Sequence, residues 1–357
     1  MVAEQLTNKA LKQALVNINV SIEEALKHMD CEVAIVVDDN KRLCGLVTDG
    51  DIRRGFLAGA TMDRPVSEIM TKDPITIKEK LSHEEVLAIM LKKQIRHLPV
   101  VDEDEQPVGL ELLRNQYDAS TIEAAVLMAG GKGTRLRPLT YETPKPLLKV
   151  GGRAILDNVM DGLQRSGIKD VAISVNYLSE QIKSHINDKD KYPDSLGVSF
   201  LEEKKALGTA GALSLLSPKP TSSVIVMNAD LLTEIDYRAF YRFHKQAGND
   251  FSVCVRKVKN NVPYGVVTLS GDNSRIETLV EKPEFTYLAN AGIYLIEPEI
   301  IDLVPENTFF DMTSLINKAM DAGFKVGAFP VFEYWRDIGR HKEMKIADDE
   351  IVGKKNA

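Results

Sequence analysis

Residues 127 to 156 read LMAGGKGTRLRPLTYETPKPLLKVGGRAIL, a run that starts as an apolar strand and breaks into a glycine-rich loop. Ala125 to Met128 have strand character, and Gly130, Gly131 and Gly133 follow within four positions. Glycine tolerates positive φ and lets backbone amides approach a bound anion closely. Thr134, Arg135 and Arg137 come next, and Lys145 stands between Pro144 and Pro146. Amide donors and cationic side chains thus converge on one place, which suits a polyphosphate. Two common phosphate loops are excluded. A Walker loop needs Lys-Ser/Thr directly after its last glycine, where Thr134-Arg135 stand, and the dinucleotide pattern needs a third glycine where Leu136 stands.

Outward from the loop, strand and helix patterns alternate. Strand-like segments cover Glu123 to Met128, Asp170 to Val175, Val198 to Glu202 and Ser223 to Met227; helical ones cover Ile155 to Ser166, Ser179 to Ile186 and Thr209 to Leu216. This order predicts an α/β domain over about residues 122–350, with a Rossmann-like mixed, mostly parallel sheet and ligands at the carboxyl ends of its strands. The strand SSVIVMNAD ends in Asp230, and EYWRDIG carries Asp337 before Gly339.

The pattern L-x-A-G-G-x-G-T-R-L-x-P-L-T, followed by P-K-P, resembles the signature of sugar-phosphate nucleotidyltransferases, which have a GT-A-like fold. The resemblance implies that a nucleoside triphosphate and a sugar 1-phosphate are joined with release of pyrophosphate. Leu127, Ala129, Gly130, Gly131, Gly133 and Thr134 then cradle the nucleotide, Arg135 meets its β/γ side, and Lys145 bridges the α-phosphate and the sugar phosphate. Asp230 and Asp337 match the positions that hold the catalytic Mg²⁺, although Ala229 stands where the family usually has glycine. The segments NNVPYGVV, VEKP and NAGIY resemble the sugar-phosphate site and point to Gly265, Glu281, Lys282 and Asn290, with Asn176 a further candidate for a sugar hydroxyl. LEEKKALGTAGAL, with Glu203, Gly208 and Thr209, resembles the base-reading segment of guanylyltransferases. A carboxylate there accepts from N1–H and N2–H of guanine and meets only acceptors on adenine, so GTP is favoured.

Residues 1–118 repeat themselves with a period near sixty, about 1–62 and 63–118: helix, strand, strand, then the same again. Val20 to Leu26, Val33 to Asp38 and Leu43 to Val47 correspond to Leu81 to Leu87, His97 to Asp102 and Pro107 to Leu110. The pair resembles a tandem CBS module of βαββα type, named after cystathionine β-synthase, which in many proteins binds adenosine nucleotides. In the first copy GLVTDGDIRR supplies Thr48 and Asp51 at the ribose-binding positions, whereas the second copy, GLELLRN, lacks both. One nucleotide cleft is expected; a purely assembling role for the pair is the alternative. The CBS pair joined to this catalytic type is similar to guanylyltransferases that activate amino sugars such as glucosamine 1-phosphate for legionaminate-type surface glycans. A mannose or heptose 1-phosphate guanylyltransferase, a uridylyl or thymidylyl enzyme, and a non-catalytic sensor of nucleotide sugars are the competing readings. Both modules imply a homo-oligomer.

Composition narrows the remaining classes. A net charge of −7 over 357 residues lacks the basic footprint of a nucleic-acid binder. No signal-peptide pattern and no apolar run of about eighteen residues is present, so no membrane partner is expected and the cytoplasm is the default location. Cys31, Cys44 and Cys254 show no metal spacing and are read as reduced packing residues. The six histidines form no triad pattern, and Lys204-Lys205 and Lys354-Lys355 read as solvated charge.

Overall fold

The computed structural model describes residues 2–29, 32–78, 81–93, 95–114, 122, 124–187, 196–271 and 274–356. Cys31, Glu123, the link at 119–121 and the side chains of Lys354 and Lys355 lie outside the described residues. The chain divides into two compact units, 1–120 and 121–357. Among the described residues no helix is long and apolar enough to cross a membrane.

The upstream unit contains the expected duplication. Ser21 Oγ accepts from the Glu24 amide (3.1 Å) to start the helix Ile22–Leu26, and Ser82 and Glu85 cap each other's backbone at the helix His83–Lys93. The Ser-x-x-Glu spacing is a helix-start signature in both copies. Each helix is followed by an antiparallel pair, Val33–Val37 with Leu43–Thr48 and His97–Val101 with Pro107–Arg114. Strands Leu15–Asn17 and Thr71–Lys72 extend the first pair to four strands, and Val2–Gln5 extends the second to three.

The downstream unit is built on a seven-stranded sheet in the order Gly197–Glu202, Asp170–Val175, Ala124–Met128, Val224–Asn228, Glu284–Ile296, Phe251–Asn261, Val326–Pro330. Only Glu284–Ile296 runs antiparallel to its neighbours. Side chains alternate across the strands and build one core on each face. Leu127, Ile173, Ile225 and Met227 pack with Leu156, Leu163, Ile182 and Phe240 from the helices Ile155–Arg165, Ser179–Ile186 and Tyr237–Ala247. Val126, Ala172, Val224 and Val226 pack with Ala210, Leu213, Ile300 and Leu315 on the other face. A third cluster of Leu136, Leu148, Leu232, Ile338 and Ala347 ties the glycine-loop segment to the terminal helix His341–Asn356.

The helix expected over Thr209 to Leu216 is instead a short turn, Gly208–Gly211, followed by a 3₁₀ segment, Ala212–Leu215. The amides of Ala210 and Gly211 are both taken by the Phe310 carbonyl at 3.0 Å, and Gly208 sits at φ +80. These non-local bonds satisfy first-turn amides that have no acceptor within the helix.

On the first core face, beside the helix Tyr237–Ala247, lies a buried polar chain. Asn249 donates to Ser252 Oγ (3.0 Å), which bonds His244 Nδ1 (2.9 Å), and His244 Nε2 meets Glu297 Oε1 (2.9 Å). Ser223 and Lys245 also donate to Glu297. Burial by itself would raise the Glu297 carboxyl, and these hydrogen bonds with the Lys245 charge overcome it and hold its pKa at about 2. A depressed carboxylate contributes stability above its unfolded pKa of about 4.3, and that contribution is lost as pH falls toward 2. Glu297→Gln is therefore expected to cost about 1–2 kcal/mol at pH 6 and much less at pH 3. Thermal melts at the two pH values measure this; an equal loss at both would contradict it.

Candidate active site

The site is assembled where the strand Ala124–Met128 ends. Gly133 lies in the left-handed region (φ +58), and a Cβ there would come within 2.9 Å of Thr140 and 3.2 Å of Lys145. Glycine is thus required both by conformation and by the closeness of the lysine segment. Thr140 Oγ1 donates to the Gly133 carbonyl (2.9 Å), and Tyr177 donates to the carbonyls of Thr140 (3.0 Å) and Tyr141 (3.1 Å). The loop is held open by its own neighbours, with Gly131 facing free space.

Lys145 starts a 3₁₀ turn fixed by its flanking prolines and is 9% exposed. Its Nζ donates to Asp230 Oδ2 and lies 3.6 Å from Asp337 Oδ1. The two aspartates are 107 residues apart in sequence and meet through a two-stranded ribbon: Leu231–Thr233 pairs antiparallel with Trp335–Asp337, Leu231 opposite Asp337. The Ile338 amide donates to the Asp230 carbonyl (3.2 Å), closing the ribbon. Burial raises the Asp337 pKa, as does the neighbouring Asp230 charge, while Lys145 and Arg135 oppose the shift. Asp230 Oδ1 is buried without a hydrogen-bond partner. A buried, unsatisfied carboxylate oxygen facing a second, repelled carboxylate is a place for a cation. Among the described residues no group of three or more His, Cys, Asp or Glu could hold a metal by itself. The protein thus offers two carboxylates, which fits Mg²⁺ completed by phosphate oxygens and water.

The nucleotide-side candidates converge. A Cβ on Gly130 would lie 2.5 Å from Glu203 Oε1 and 3.3 Å from Asn176 Cβ. Glu203 is 9% exposed, with Oε1 accepting from Ser174 Oγ and Oε2 from the Leu207 amide (2.8 Å), which leaves lone pairs on both oxygens. Asn176, the further candidate for a sugar hydroxyl, donates to the Glu203 carbonyl (2.6 Å). Leu127 is fully buried and Ala129 nearly so, beneath the loop they introduce. Thr134 opens the turn that carries Arg135, both with exposed side chains. Gly208 and Thr209 pack on Phe310 and Asp311, and Thr209 Oγ1 accepts from the Met312 amide (2.8 Å). Asp311 was not foreseen, for it lies a hundred residues away and nothing local marks it.

The sugar-side candidates form a second group. Gly265, Glu281 and Lys282 meet at the root of the hairpin Val266–Leu269/Ile276–Val280, where the Lys282 amide donates to the Tyr264 carbonyl (3.2 Å) and Glu281 Oε2 is 3.1 Å from a Cβ on Gly265. Among the described residues no hydrogen bond or ion pair links these three to Lys145, Asp230 or Asp337. Asn290 Oδ1 accepts from the Gly292 amide (2.8 Å), and the adjacent Ala291 carbonyl accepts from Trp335 Nε1 (2.8 Å).

A cavity of about 430 Å³ is lined by Arg135, Arg256, Trp335, Arg336, Asp337, Gly339, Arg340 and Glu343. Arg256, Trp335 and Arg340 are residues that the sequence did not single out.

In the upstream unit Thr48 and Asp51 stand where expected, closing a reciprocal cap at the helix Asp49–Leu57. Asp51 Oδ2 accepts from the Thr48 amide (2.8 Å) and hydroxyl (2.6 Å), and Oδ1 accepts from Arg54 (2.5 Å). The Arg54 side chain is 69% exposed and that of Asp51 8%.

Comparison with known proteins places this geometry. The nucleotidyl transferase family model matches residues 124–352, and the CBS domain model matches 12–58 and 66–110. Mannose-1-phosphate guanylyltransferase catalytic subunit beta of Xenopus tropicalis is 31% identical over 227 residues, 61% of this chain and 62% of that protein. The mannose-1-phosphate guanyltransferase of Yarrowia lipolytica is 33% identical over 226 residues, 61% of each chain. The match therefore spans less than two thirds of these relatives' length. Among solved structures, HddC from Yersinia pseudotuberculosis superposes with a TM-score of 0.51 at 26% identity, covering 64% of this chain and 99% of that one.

Proposed function

Since the chain belongs to the nucleotidyl transferase family, we propose that it transfers a nucleotidyl group, from GTP by preference, to a sugar 1-phosphate and releases pyrophosphate. The observation that carries the reading is the meeting of the loop lysine, Lys145, with the ribbon-paired carboxylates Asp230 and Asp337. A phosphate oxygen of the sugar 1-phosphate forms the new bond to the α-phosphorus while the bond to the β-phosphate oxygen breaks, and pyrophosphate leaves with the electron pair. The nucleophile is already anionic at neutral pH, so no general base is required. The amides of the glycine loop and Arg135 hold the β/γ side, and Lys145 offsets the repulsion between the two phosphates that must meet. Mg²⁺ held by Asp230 and Asp337 would add charge neutralisation at the reacting phosphate.

Preference for guanine is supported by Glu203, buried beside Gly130 with lone pairs still free, and by the names of the relatives. Those names also support mannose 1-phosphate as acceptor, while the joined CBS pair supports an amino sugar such as glucosamine 1-phosphate. An adenosine nucleotide at Thr48 and Asp51 would regulate the rate. The test is pyrophosphate release with each of four nucleoside triphosphates against mannose, glucose and glucosamine 1-phosphates. GTP with one of these sugars is expected to exceed every other pair at least tenfold. Turnover with UTP and none with GTP would overturn the guanine assignment, and no turnover with any pair would overturn the activity.

A further inference from the structure

Three arginines at the cavity, Arg135, Arg256 and Arg340, have no salt bridge within 4 Å among the described residues, whereas Arg336 is held by Glu343 (2.7 Å) and Glu350 (2.6 Å). Arg256 differs from the other two because it is partly buried. Its guanidinium lies over the Trp335 ring, 5.7 Å from the centroid, and donates to the Glu333 backbone carbonyl (3.1 Å). Trp335 is itself fixed by its hydrogen bond to the Ala291 carbonyl. The guanidinium is therefore aimed before any ligand arrives. Burial, with the nearby Arg336 charge, pushes its pKa down, yet arginine keeps its proton in proteins. The Glu333 and Glu350 carboxylates act on it only from beyond salt-bridge distance, so a partly desolvated cation held by a ring face and a backbone carbonyl can still take an anion at close range.

The topology says which anion. The glycine loop leaves the strand Ala124–Met128, and Arg256 stands on Phe251–Asn261, three strands away in the same sheet, about 14 Å at ordinary strand spacing. Arg135 therefore reaches the cavity from the loop side and Arg256 from the opposite side. Arg256 is also paired with Ala289, next to Asn290, and its strand runs on to Asn261, just before the segment that carries Gly265. In-line displacement puts the incoming group opposite the leaving pyrophosphate. We propose that Arg256, braced on Trp335, binds the phosphate of the incoming sugar 1-phosphate and so sets the affinity for the acceptor but not for the nucleoside triphosphate.

This inference rests on the proposed transfer reaction for the identity of the anion, and it has a readout that needs no turnover. Trp335 is the single tryptophan of the chain, so its fluorescence reports the cavity alone. Wild type, Arg256→Lys and Arg256→Gln are titrated with mannose 1-phosphate, glucosamine 1-phosphate, inorganic phosphate and GTP, and circular dichroism melts check folding. Arg256→Gln is expected to weaken sugar 1-phosphate binding at least tenfold and to leave GTP binding within twofold, with Arg256→Lys in between. In pyrophosphate-release kinetics the same variant raises KM for the acceptor and leaves KM for GTP unchanged. Equal loss of both ligands would place Arg256 on the triphosphate or in a purely structural role, and unchanged sugar 1-phosphate binding would remove it from the site; either result overturns the inference. Wild type that binds sugar 1-phosphate yet releases no pyrophosphate would instead refute the transfer reaction while leaving Arg256 to be judged on the titrations.

Discussion

Asp230→Asn is expected to lower sugar-1-phosphate-dependent pyrophosphate release about a thousandfold, with a far smaller change in KM for GTP. The substitution keeps the volume of the side chain and removes its charge. Asp230 Oδ2 is the hydrogen-bond partner of Lys145, and Oδ1 is buried and unsatisfied, so the wild-type carboxylate holds one cation and has a second oxygen unpaired for another. The amide cannot do both, because its NH₂ group repels whichever cation it faces. Melting temperatures within a few degrees of wild type would separate this loss from misfolding. A variant with more than a tenth of wild-type activity would remove Asp230 from the reaction.

Lys145→Gln is the second large effect, with kcat expected to fall at least a hundredfold. Lys145 is the buried cation nearest both carboxylates, and in the reaction its charge offsets the approach of two phosphate anions. Losing it should act on the transition state more than on ground-state binding, so kcat falls and KM for GTP changes little. The two substitutions touch one network, so their combination should lose less than the product of the single effects. A fully multiplicative loss would show that lysine and aspartate act separately.

How much of this was legible in the chain depended on the range of the interactions. The upstream repeat was readable because each copy signals its own helix, Ser21 to Glu24 and Ser82 to Glu85, within four residues. The glycine loop was readable for the same reason. Asp230 and Asp337 could be named individually, but their meeting depends on the register Leu231 opposite Asp337, which spans more than a hundred residues. The change from the helical turn Gly208–Gly211 to the 3₁₀ segment Ala212–Leu215 has no local signal, and the bond from Asn176 to the Glu203 carbonyl spans 27 residues. Arg256 gave no signal beyond a charge that follows the buried run Phe251 to Val255. Its meaning comes from Trp335, which the fold brings to it.

The transfer reaction is tested most directly by following the phosphorus atoms of GTP. With GTP labelled at the α-phosphorus in one reaction and at the γ-phosphorus in another, wild type is incubated with Mg²⁺ and the sugar 1-phosphate that gives the greatest pyrophosphate release. The α-label is predicted to appear in a nucleoside diphosphate sugar and the γ-label in pyrophosphate, in equal amounts and only when the sugar phosphate is present. Release of the γ-label as inorganic phosphate, or release that does not depend on the sugar, would contradict the assignment.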